Sequence, residues 1–360
     1  MRVKVVRPGD LGPEEARLWS AFQLSQPIMS NPFLSLTFAQ TVGRFRPAAR
    51  VAVVEDDGRT EAFLPFELAP GKVAVPIGCP MNDLQGFVGS GAAFDARAVV
   101  RKSGLRGWRF LHVPADQQAL MPHQYQETVV RCPVIDLSGG YEQYQQSMAK
   151  TATYKNARKK QRSLERQAGP VRLAWGTPDQ AHFDQLVDWK RGKYGGARRL
   201  FSDPAALRII EALATAAADD CRGILSVMFA GERPIANVLG LAGPAGLSAW
   251  FSSYDPDWQQ FSPGTIMWYL LAEQAAATGF TRIDFGGGQD GYKFSLANTS
   301  YPVAGGAVWA NRVERAARGF YRHASARSPW SGSPWSGFPW SGFPWSGTKD
   351  SRQAALGLAS

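Results

Sequence analysis

Short runs of alternating hydrophobic and polar residues, separated by turn residues, fill the first half of the chain. Runs of this kind, rich in β-branched and aromatic residues, predict β-strands. They cover 2–6, 50–54, 61–67, 72–77, 86–88 and 108–113. The turn Asp56-Asp57-Gly58 predicts a hairpin between the second and third of these strands. With a helix expected at about 13–26, the first half is predicted to be α+β.

The second half begins with helical segments and then returns to strands. A strand at 132–137 leads into a helix that is expected to end at Gly169-Pro170. Further helices are predicted near 179–194 and 204–218, and a hairpin at 231–234. Helices and strands therefore alternate here as well.

The clearest pattern in the chain is a strand–helix–strand unit between Leu247 and Phe285. The β-formers of 247–254 are followed by turn residues, an apolar run over 266–271, and Gly279, which ends the helix. A short strand at 282–285 then precedes three glycines. Two strands joined by one helix are expected to lie parallel in a sheet.

The helix of this unit has a well-marked start. Ser262 stands at the N-cap position and Pro263 at the first helical position. Since first-turn amides have no helical partner, the N–H groups of Gly264, Thr265 and Ile266 can bind an anion. A capped helix that binds nothing is the alternative. The glycine run beyond the adjacent strand favours a ligand, because open α/β sheets bind ligands at strand ends.

The sequence around this helix start resembles the pyrophosphate loop of the GNAT acyltransferases. Gln259-x-x-Ser262-x-Gly264 is similar to the pattern (Gln/Arg)-x-x-Gly-x-(Gly/Ala), with Ser262 in place of the first glycine. The segments FSPGTIMWYLL and ATGFTRIDFGGGQDGYKFSLA resemble the cellulose-biosynthesis-associated branch (CelD/BcsL type). The resemblance implies that acetyl-CoA or another acyl-CoA is the co-substrate, without a metal. It would lie between strands 247–254 and 282–286, held by Gln259 and by residues 262 and 264–266.

The resemblance, which covers roughly residues 30–305, also implies the domain organisation. The fold class is expected to be α+β, with two GNAT-like domains, each a mixed twisted sheet flanked by helices, and a disordered C-terminal tail. The first domain, 1–137, is expected to lack a CoA loop. A basic bridging helix over 138–170 leads to the acyltransferase domain, 171–325, and the tail is 326–360.

Composition narrows the cellular setting. An apolar fraction of 44% supports sizeable cores, and no apolar run reaches the ~18 residues of a membrane span. The N-terminal segment shows no hydrophobic signal region. The three cysteines and four histidines are scattered, which argues against disulfides and zinc. We expect a cytoplasmic chain that can lie at the inner face of the membrane.

Positive charge is concentrated in two segments. Residues 150–166 and 190–199 together carry more positive charge than the whole chain's net of +10. Lys155, Lys159 and Arg162 follow helical spacing and are predicted to bind an anionic or glycan acceptor, CoA phosphates or a membrane surface. A solvated helix face is the alternative. Nucleic acid is disfavoured because no helix-turn-helix, zinc-finger or RNP-type motif accompanies the charge.

Direct acyl transfer needs an acceptor held at the thioester, a base and a proton donor for the thiolate. Tyr292 stands where GNAT enzymes often carry the proton-donating tyrosine, and Asp284 is the candidate base or else a hydrogen-bond partner at the strand end. Asn237, Lys293 and Trp189 are candidate acceptor-binding residues; packing and solvation are their alternatives. No serine or cysteine triad is suggested, which disfavours a covalent acyl-enzyme.

Three functions compete. The first is a CoA-dependent acyltransferase acting on a cell-envelope or exopolysaccharide precursor. The second is a Fem-like aminoacyltransferase, which takes aminoacyl-tRNA and would suit the basic helix. The third is a degenerate GNAT fold that serves as a glycan-binding or scaffold protein. Binding of acyl-CoA, with tRNA as the comparison, separates them.

The segment SPWSGSPWSGFPWSGFPWSG is a low-complexity repeat near the C-terminus. Its Pro, Ser and Gly content opposes helix and sheet, so disorder is expected. Its regularly spaced tryptophans offer an alternative, because exposed indoles stack on sugars or enter a membrane interface.

Truncation after Arg327 should leave the melting temperature and the rate on a small soluble acceptor unchanged. The repeat buries too little surface to offset a backbone ordering cost of about 1–2 kcal/mol per residue. Differential scanning calorimetry and an acyl-transfer assay test this. A loss of several degrees would show that the tail packs on the body. Weaker binding to polymeric glycan or vesicles alone would identify the indoles as a partner site.

Overall fold

The computed structural model describes residues 1–114, 117, 123–176, 179–192, 196–287 and 291–311. The strands are β1 (Arg2–Val6), β2 (Ala49–Asp56), β3 (Arg59–Ala69), β4 (Val73–Pro76), β5 (Val88–Gly89), β6 (Gly107–Pro114), β7 (Gln126–Asp136), β8 (Val171–Ala174), β9 (Ala217–Ala218), β10 (Cys221–Ala230), β11 (Arg233–Gly243), β12 (Gly246–Tyr254), β13 (Arg282–Asp284) and β14 (Thr299–Trp309). The helices are α1 (Pro13–Ser25), α2 (Leu36–Phe45), α3 (Ala96–Lys102), α4 (Gly140–Met148), α5 (Ala152–Ala168), α6 (Gln180–Arg191), α7 (Gly196–Ser202), α8 (Pro204–Ala214), α9 (Pro263–Ala277) and α10 (Gly291–Leu296). The tail 326–360, with its tryptophan repeat, lies outside the described residues.

The strands form one continuous mixed sheet. Its order is β1-β2-β3-β4-β6-β14-β7-β13-β12-β11-β10-β8, with β5 beside β3 and β9 beside β10. Each half contains one parallel pair joined by a crossing helix: β4 and β6 around α3, and β12 and β13 around α9. The repeated unit confirms the α+β prediction of two related halves.

The two halves exchange their last strands. The strand β7 follows the first half in sequence, yet it pairs with β13 of the second half. The strand β14 follows the second half, and it lies between β6 and β7. Cutting the chain at residue 137 therefore does not cut the sheet into two independent parts. The sequence predicted neither β14 nor this exchange.

Three clusters of buried hydrophobic residues hold the helices to the sheet. One lies between the first half and α3, and a second lies between the second half and the helices α4, α5 and α9. The third runs along the opposite face of both halves, under α1 and α2 and under α6 to α8. A core shared in this way ties the two halves together.

The segment predicted as one bridging helix is two helices, α4 and α5. Thr151 starts the second, because its Oγ1 accepts a hydrogen bond from the Tyr154 N–H at 3.2 Å. Gly169 ends it with a φ of 94°, a conformation that glycine adopts without steric cost. The other large helices agree with the sequence pattern to within a few residues, whereas α2, α3, α7 and α10 were not predicted.

No helix in the described part of the chain is both long and apolar enough to cross a membrane.

Val303→Ala should destabilise both halves at once. Val303 is fully buried on β14, opposite Pro114 of β6 and Val130 of β7. The lost methyl groups and the residual cavity cost about 2 kcal/mol. Urea unfolding measures the loss, and hydrogen exchange should accelerate in β6 and β13 together. Val5→Ala, on the half-exposed edge strand β1, is the matched control. Acceleration in only one of the two strands would contradict a single cooperative sheet.

Candidate active site

The parallel strands β12 and β13 pair over only two positions before they separate. Leu247 lies opposite Ile283, and Ser248 lies opposite Asp284. Beyond this point β12 continues to Tyr254, while Phe285 donates its N–H to the Pro133 carbonyl of β7 at 3.1 Å. The chain after β13 therefore follows β7 and leaves β12, which opens a fork in the sheet.

A β-bulge marks the same level of β12. Leu239 of β11 lies opposite Phe251 and Gly240 opposite Ala249, so Trp250 is the extra residue. Its indole Nε1 donates to the Met81 carbonyl at 2.8 Å. A loop of the first half, residues 77–87, thus contacts the fork from the other half of the molecule.

The glycine run after β13 receives side chains from the first half. Gly286 has a φ of 68°, and a Cβ on it would lie 2.8 Å from the Asp83 Oδ2. A Cβ on Gly287 would clash with the His112 imidazole. The third glycine lies outside the described residues. The run was predicted to mark a ligand site; in the structure two of its glycines make room for Asp83 and His112.

These two side chains belong to a charged cluster at the fork. Burial raises the pKa of the Asp83 carboxyl to about 7; nearby Asp284 adds to the rise and the Lys293 ammonium opposes it. Burial lowers the pKa of His112 to about 4, and a hydrogen bond that the imidazole donates to the Asp83 backbone partly offsets this effect. The imidazole is therefore neutral at physiological pH, and the Asp83 carboxyl is poised to exchange a proton.

Asp284 is held by three hydrogen bonds and is only 3% exposed. Its Oδ1 accepts from the Gly286 N–H at 2.9 Å, and its Oδ2 accepts from Arg282 Nη2 at 2.9 Å and from the Tyr301 hydroxyl at 2.7 Å. These hydrogen bonds hold the end of β13 and fit the alternative role of Asp284, a hydrogen-bond partner at the strand end; its role as the base stays a prediction.

The other two candidates near the glycine run lie on α10. Lys293 donates from Nζ to the Phe285 carbonyl at 3.2 Å, so its ammonium faces the fork. Tyr292 is 47% exposed and lies on the same short helix. The structure therefore brings Lys293 into the cluster and leaves Tyr292 accessible to a substrate.

The start of α9 differs from the sequence-based expectation in two respects. Ser262 is in the left-handed conformation (φ 52°) and its hydroxyl makes no capping hydrogen bond. Its carbonyl accepts from the N–H groups of Thr265 (3.0 Å) and Ile266 (3.3 Å). Of the three amides predicted to be available, only the Gly264 N–H is therefore not used by the Ser262 carbonyl. A Cβ added to Gly264 would contact only the Tyr254 ring. Gln259 is exposed beside this turn.

A lysine that sequence reasoning missed lies at this helix start. Lys160 of α5 is partly buried, and its Nζ donates to the Ser262 hydroxyl at 2.7 Å. The predicted cations Lys155, Lys159 and Arg162 lie on the exposed face of the same helix. The signal was present in the sequence, because position 160 follows Ala157 and precedes Leu164 at helical spacing. Both of those residues are buried.

The candidate acceptor residues lie on the opposite face of the sheet, next to α6. Asn237 is completely buried, and among the described residues neither of its amide atoms has a hydrogen-bond partner. Ser253, opposite it on β12, is also buried and without a partner in that part of the chain. Trp189 is partly buried on α6, beside Lys190, whose Nζ lies 5.8 Å from the Phe251 ring centre. Buried polar groups of this kind are rarely left unsatisfied, so a polar ligand or a water is expected to bind them.

The corresponding fork in the first half is filled. The Gln85 N–H donates to the His112 carbonyl, and the Gln85 Oε1 accepts from the Leu111 N–H, both at 2.9 Å. At the start of α3, the Asp95 carboxylate caps the Arg97 N–H. A carboxylate at a helix start repels anions. The first half thus lacks the features that open the site in the second half.

In the described part of the chain, no group of three or more His, Cys, Asp or Glu side chains is arranged to bind a metal ion.

Comparisons with known proteins agree with this geometry. Residues 151–294 match the family model of an acetyltransferase (GNAT) domain. This match supports acyltransferase activity in the second half. It does not show membership of the cellulose-associated branch. No curated protein matches the chain.

Three solved structures resemble most of the fold. FemX is 12% identical over 88% of this chain and 99% of its own, with a TM-score of 0.56. The C-terminal domain (DUF2156) of an Agrobacterium fabrum protein assigned as a lysylphosphatidylglycerol synthetase is 11% identical over 87% and 96%, with a TM-score of 0.53. A Bacteroides thetaiotaomicron protein of unknown function is 13% identical over 82% and 98%, with a TM-score of 0.51. At these identities the likeness concerns the fold alone.

Asp83→Asn should change how stability depends on pH. The carboxyl has an ordinary pKa of 3.8 and a pKa of about 7 in the folded chain. Between these values the folded state binds more protons than the unfolded state, so the contribution of Asp83 to stability falls as pH rises from about 4 to about 7. The free energy of unfolding of the wild type, relative to the variant, should fall over that range and stay constant above it.

Urea unfolding between pH 4.5 and pH 8 measures this difference. Asp57→Asn is the matched control, because Asp57 is exposed in a hairpin turn. Parallel curves for wild type and Asp83→Asn would show that Asp83 titrates normally.

Proposed function

We propose that this chain is a CoA-dependent acyltransferase that transfers an acyl group, such as acetyl, directly to an amine or hydroxyl acceptor. The fork between β12 and β13 carries this proposal. Its separated strands, the start of α9 and the family match of residues 151–294 all support a donor site in the second half. The equivalent fork in the first half is filled, which favours the second half as the place where the donor binds.

The donor is proposed to bind along β12 and the start of α9. The Gly264 amide and the Lys160 ammonium would hold the pyrophosphate, because a helix start and a cation both stabilise negative charge. The edge of β12 beyond Ser248 faces the fork and offers backbone groups to an extended acyl carrier. The thioester would then lie near Trp250, within reach of the cluster of the first half.

The chemistry follows from this placement. An acceptor nitrogen or oxygen attacks the thioester carbonyl carbon, the carbon–sulfur bond breaks, and the thiolate takes a proton. Tyr292, exposed on α10, is proposed to supply that proton. Lys293 would stabilise negative charge that develops on the carbonyl oxygen. No acyl-enzyme intermediate is required.

The acceptor is proposed to be a cell-envelope or exopolysaccharide precursor. The resemblance to the cellulose-associated branch motivates this choice, and the described surface is compatible with it. Trp189 and Asn237 remain the proposed acceptor-binding residues, an indole for a sugar ring and an amide for its polar groups. The exposed cations of α5 would attract an anionic precursor or the surface of the inner membrane, which fits a cytoplasmic location.

A Fem-like aminoacyltransferase is the second candidate. Two observations favour it: only one of three amides at the start of α9 is available, and the exposed face of α5 carries a row of cations. Phosphate-rich tRNA suits such a surface. The likeness to FemX concerns the fold and does not choose the donor.

Lys160→Gln should weaken CoA binding at least tenfold, equivalent to about 1.4 kcal/mol, because the ammonium at the helix start is lost. Lys150→Gln is the matched control, since Lys150 is an exposed lysine just before α5. Gly264→Glu should also reduce affinity by an order of magnitude or more, because its carboxylate would face the phosphates. Isothermal titration calorimetry with CoA measures all three.

The same titration with tRNA separates the two donors. Unchanged CoA affinity in folded Lys160→Gln and Gly264→Glu would contradict the proposal that the pyrophosphate binds at the start of α9. Tight tRNA binding by a wild-type chain that ignores CoA would favour the Fem-like function.

A further inference from the structure

We infer that Asp83, a residue of the first half, accepts the proton of the attacking acceptor, so that the active centre is complete only where the two halves meet. This inference rests on the proposed acyl transfer. It adds a catalytic role for the half whose own fork is filled.

The loop of residues 77–87 spans the fork of the second half. Residues 77–87 follow β4 of the first half, yet two contacts attach this loop to opposite sides of the fork in the second half. The Met81 carbonyl accepts from the Trp250 indole on β12 at 2.8 Å. Two residues later, the Asp83 side chain packs against Gly286, just after β13. Asp83 therefore lies across the gap that separates the two strands.

The carboxylates of Asp83 and Asp284 differ in the hydrogen bonds that they accept. In contrast to Asp284, which accepts three hydrogen bonds, the Asp83 carboxylate accepts none from the described residues. Its side chain is partly rather than fully buried. A substrate proton can therefore reach lone pairs that no protein donor occupies.

The charges around Asp83 come from every neighbouring element. Lys293 of α10 is the nearby cation, and Asp284 of β13 is the like charge. His112 of β6 stays neutral because burial lowers its pKa to about 4. Tyr301 of β14 and Arg282 both bind Asp284.

Cys132 of β7 completes the surroundings, and burial keeps this thiol protonated by raising its pKa well above the ordinary value. Burial thus brings the pKa of Asp83 to about 7, near the pH at which a general base is most effective.

The reaction step balances in protons and electrons. An ammonium acceptor, R–NH₃⁺, gives one proton to the Asp83 carboxylate and becomes a neutral amine. Its lone pair forms a carbon–nitrogen bond to the thioester carbonyl carbon. The carbon–sulfur bond then breaks, and the thiolate receives a second proton from the nitrogen by way of a proton donor such as Tyr292. Asp83 finally releases its proton to water.

His112 serves as a positioning residue in this arrangement. Its imidazole fills the space beside Gly287, and its carbonyl accepts from the Gln85 N–H at 2.9 Å. Gln85 belongs to the same loop as Asp83. The imidazole and this hydrogen bond therefore fix the loop over the fork.

Asp83→Asn tests the inference in the full-length chain. The probe is acetyl-CoA, with release of free thiol measured from pH 5 to pH 9. Water and glucosamine serve as acceptors; water removes the titration of an amine from the pH profile.

The wild-type rate should rise through about pH 7 and then level off. The variant should lose this rise and about 100-fold in rate at pH 8, with unchanged CoA affinity. Asp83→Glu should restore part of the rate, and Asp57→Asn should behave as wild type.

A second measurement does not depend on turnover. Carbon-13 NMR of the labelled aspartate carboxyl groups, assigned with Asp83→Asn, should show Asp83 titrating near pH 7. Titration near pH 4 would overturn the inference. So would an Asp83→Asn variant that keeps the wild-type pH profile and rate, or a wild-type chain that binds acetyl-CoA and releases no thiol to either acceptor. Failure of the wild type to bind CoA would instead count against the proposed donor, and the NMR titration would still decide the state of Asp83.

Discussion

The hydrogen bond from the Phe285 N–H to the Pro133 carbonyl is the constraint on which the site depends. It attaches the end of β13 to β7, so β13 turns away from β12 immediately after the pair of Ser248 and Asp284. A buried amide must find a partner, and β7 supplies it here in place of β12. Since β7 is the strand that the first half contributes, the strand exchange itself opens the fork.

The same exchange explains why charged groups are tolerated at the centre of the sheet. Asp83 and His112 arrive with the first half, while Asp284 and Lys293 belong to the second. An isolated buried carboxylate would be costly, but Arg282, Tyr301 and a backbone amide stabilise Asp284. Asp83 accepts no such hydrogen bonds from the described residues, and burial raises its pKa to about 7. The two carboxyls therefore differ in their surroundings, which is the basis of the different roles proposed for them.

Local pattern was sufficient for most strands of the first half and for the parallel unit around α9, but not for β8, β9 and β14. The β-formers of 247–254, Pro263 and Gly279 each fix backbone conformation within a few residues, and the structure follows them. The cluster could not be predicted in this way. Trp250 and Met81 are 169 residues apart, and no periodicity reports which loop will reach which strand. The contact between Lys160 and Ser262 was not predicted for a different reason. The density of positive charge favoured the exposed face of α5, although the helical spacing of Lys160 from the buried Ala157 and Leu164 was visible in the sequence.

The filled fork of the first half gives the duplication a physical rationale. The loop after β4 forms hydrogen bonds with β6 at Gln85, which removes a donor site from the first half and at the same time makes the loop rigid. A rigid loop can carry Met81 and Asp83 to a fixed place on the neighbouring half. Gly286 and Gly287 then provide the space that the side chains of Asp83 and His112 need, which accounts for these glycines without any direct contact to a ligand. Under the proposed function, one copy of the fold would hold the donor, and the other would support the carboxylate of Asp83.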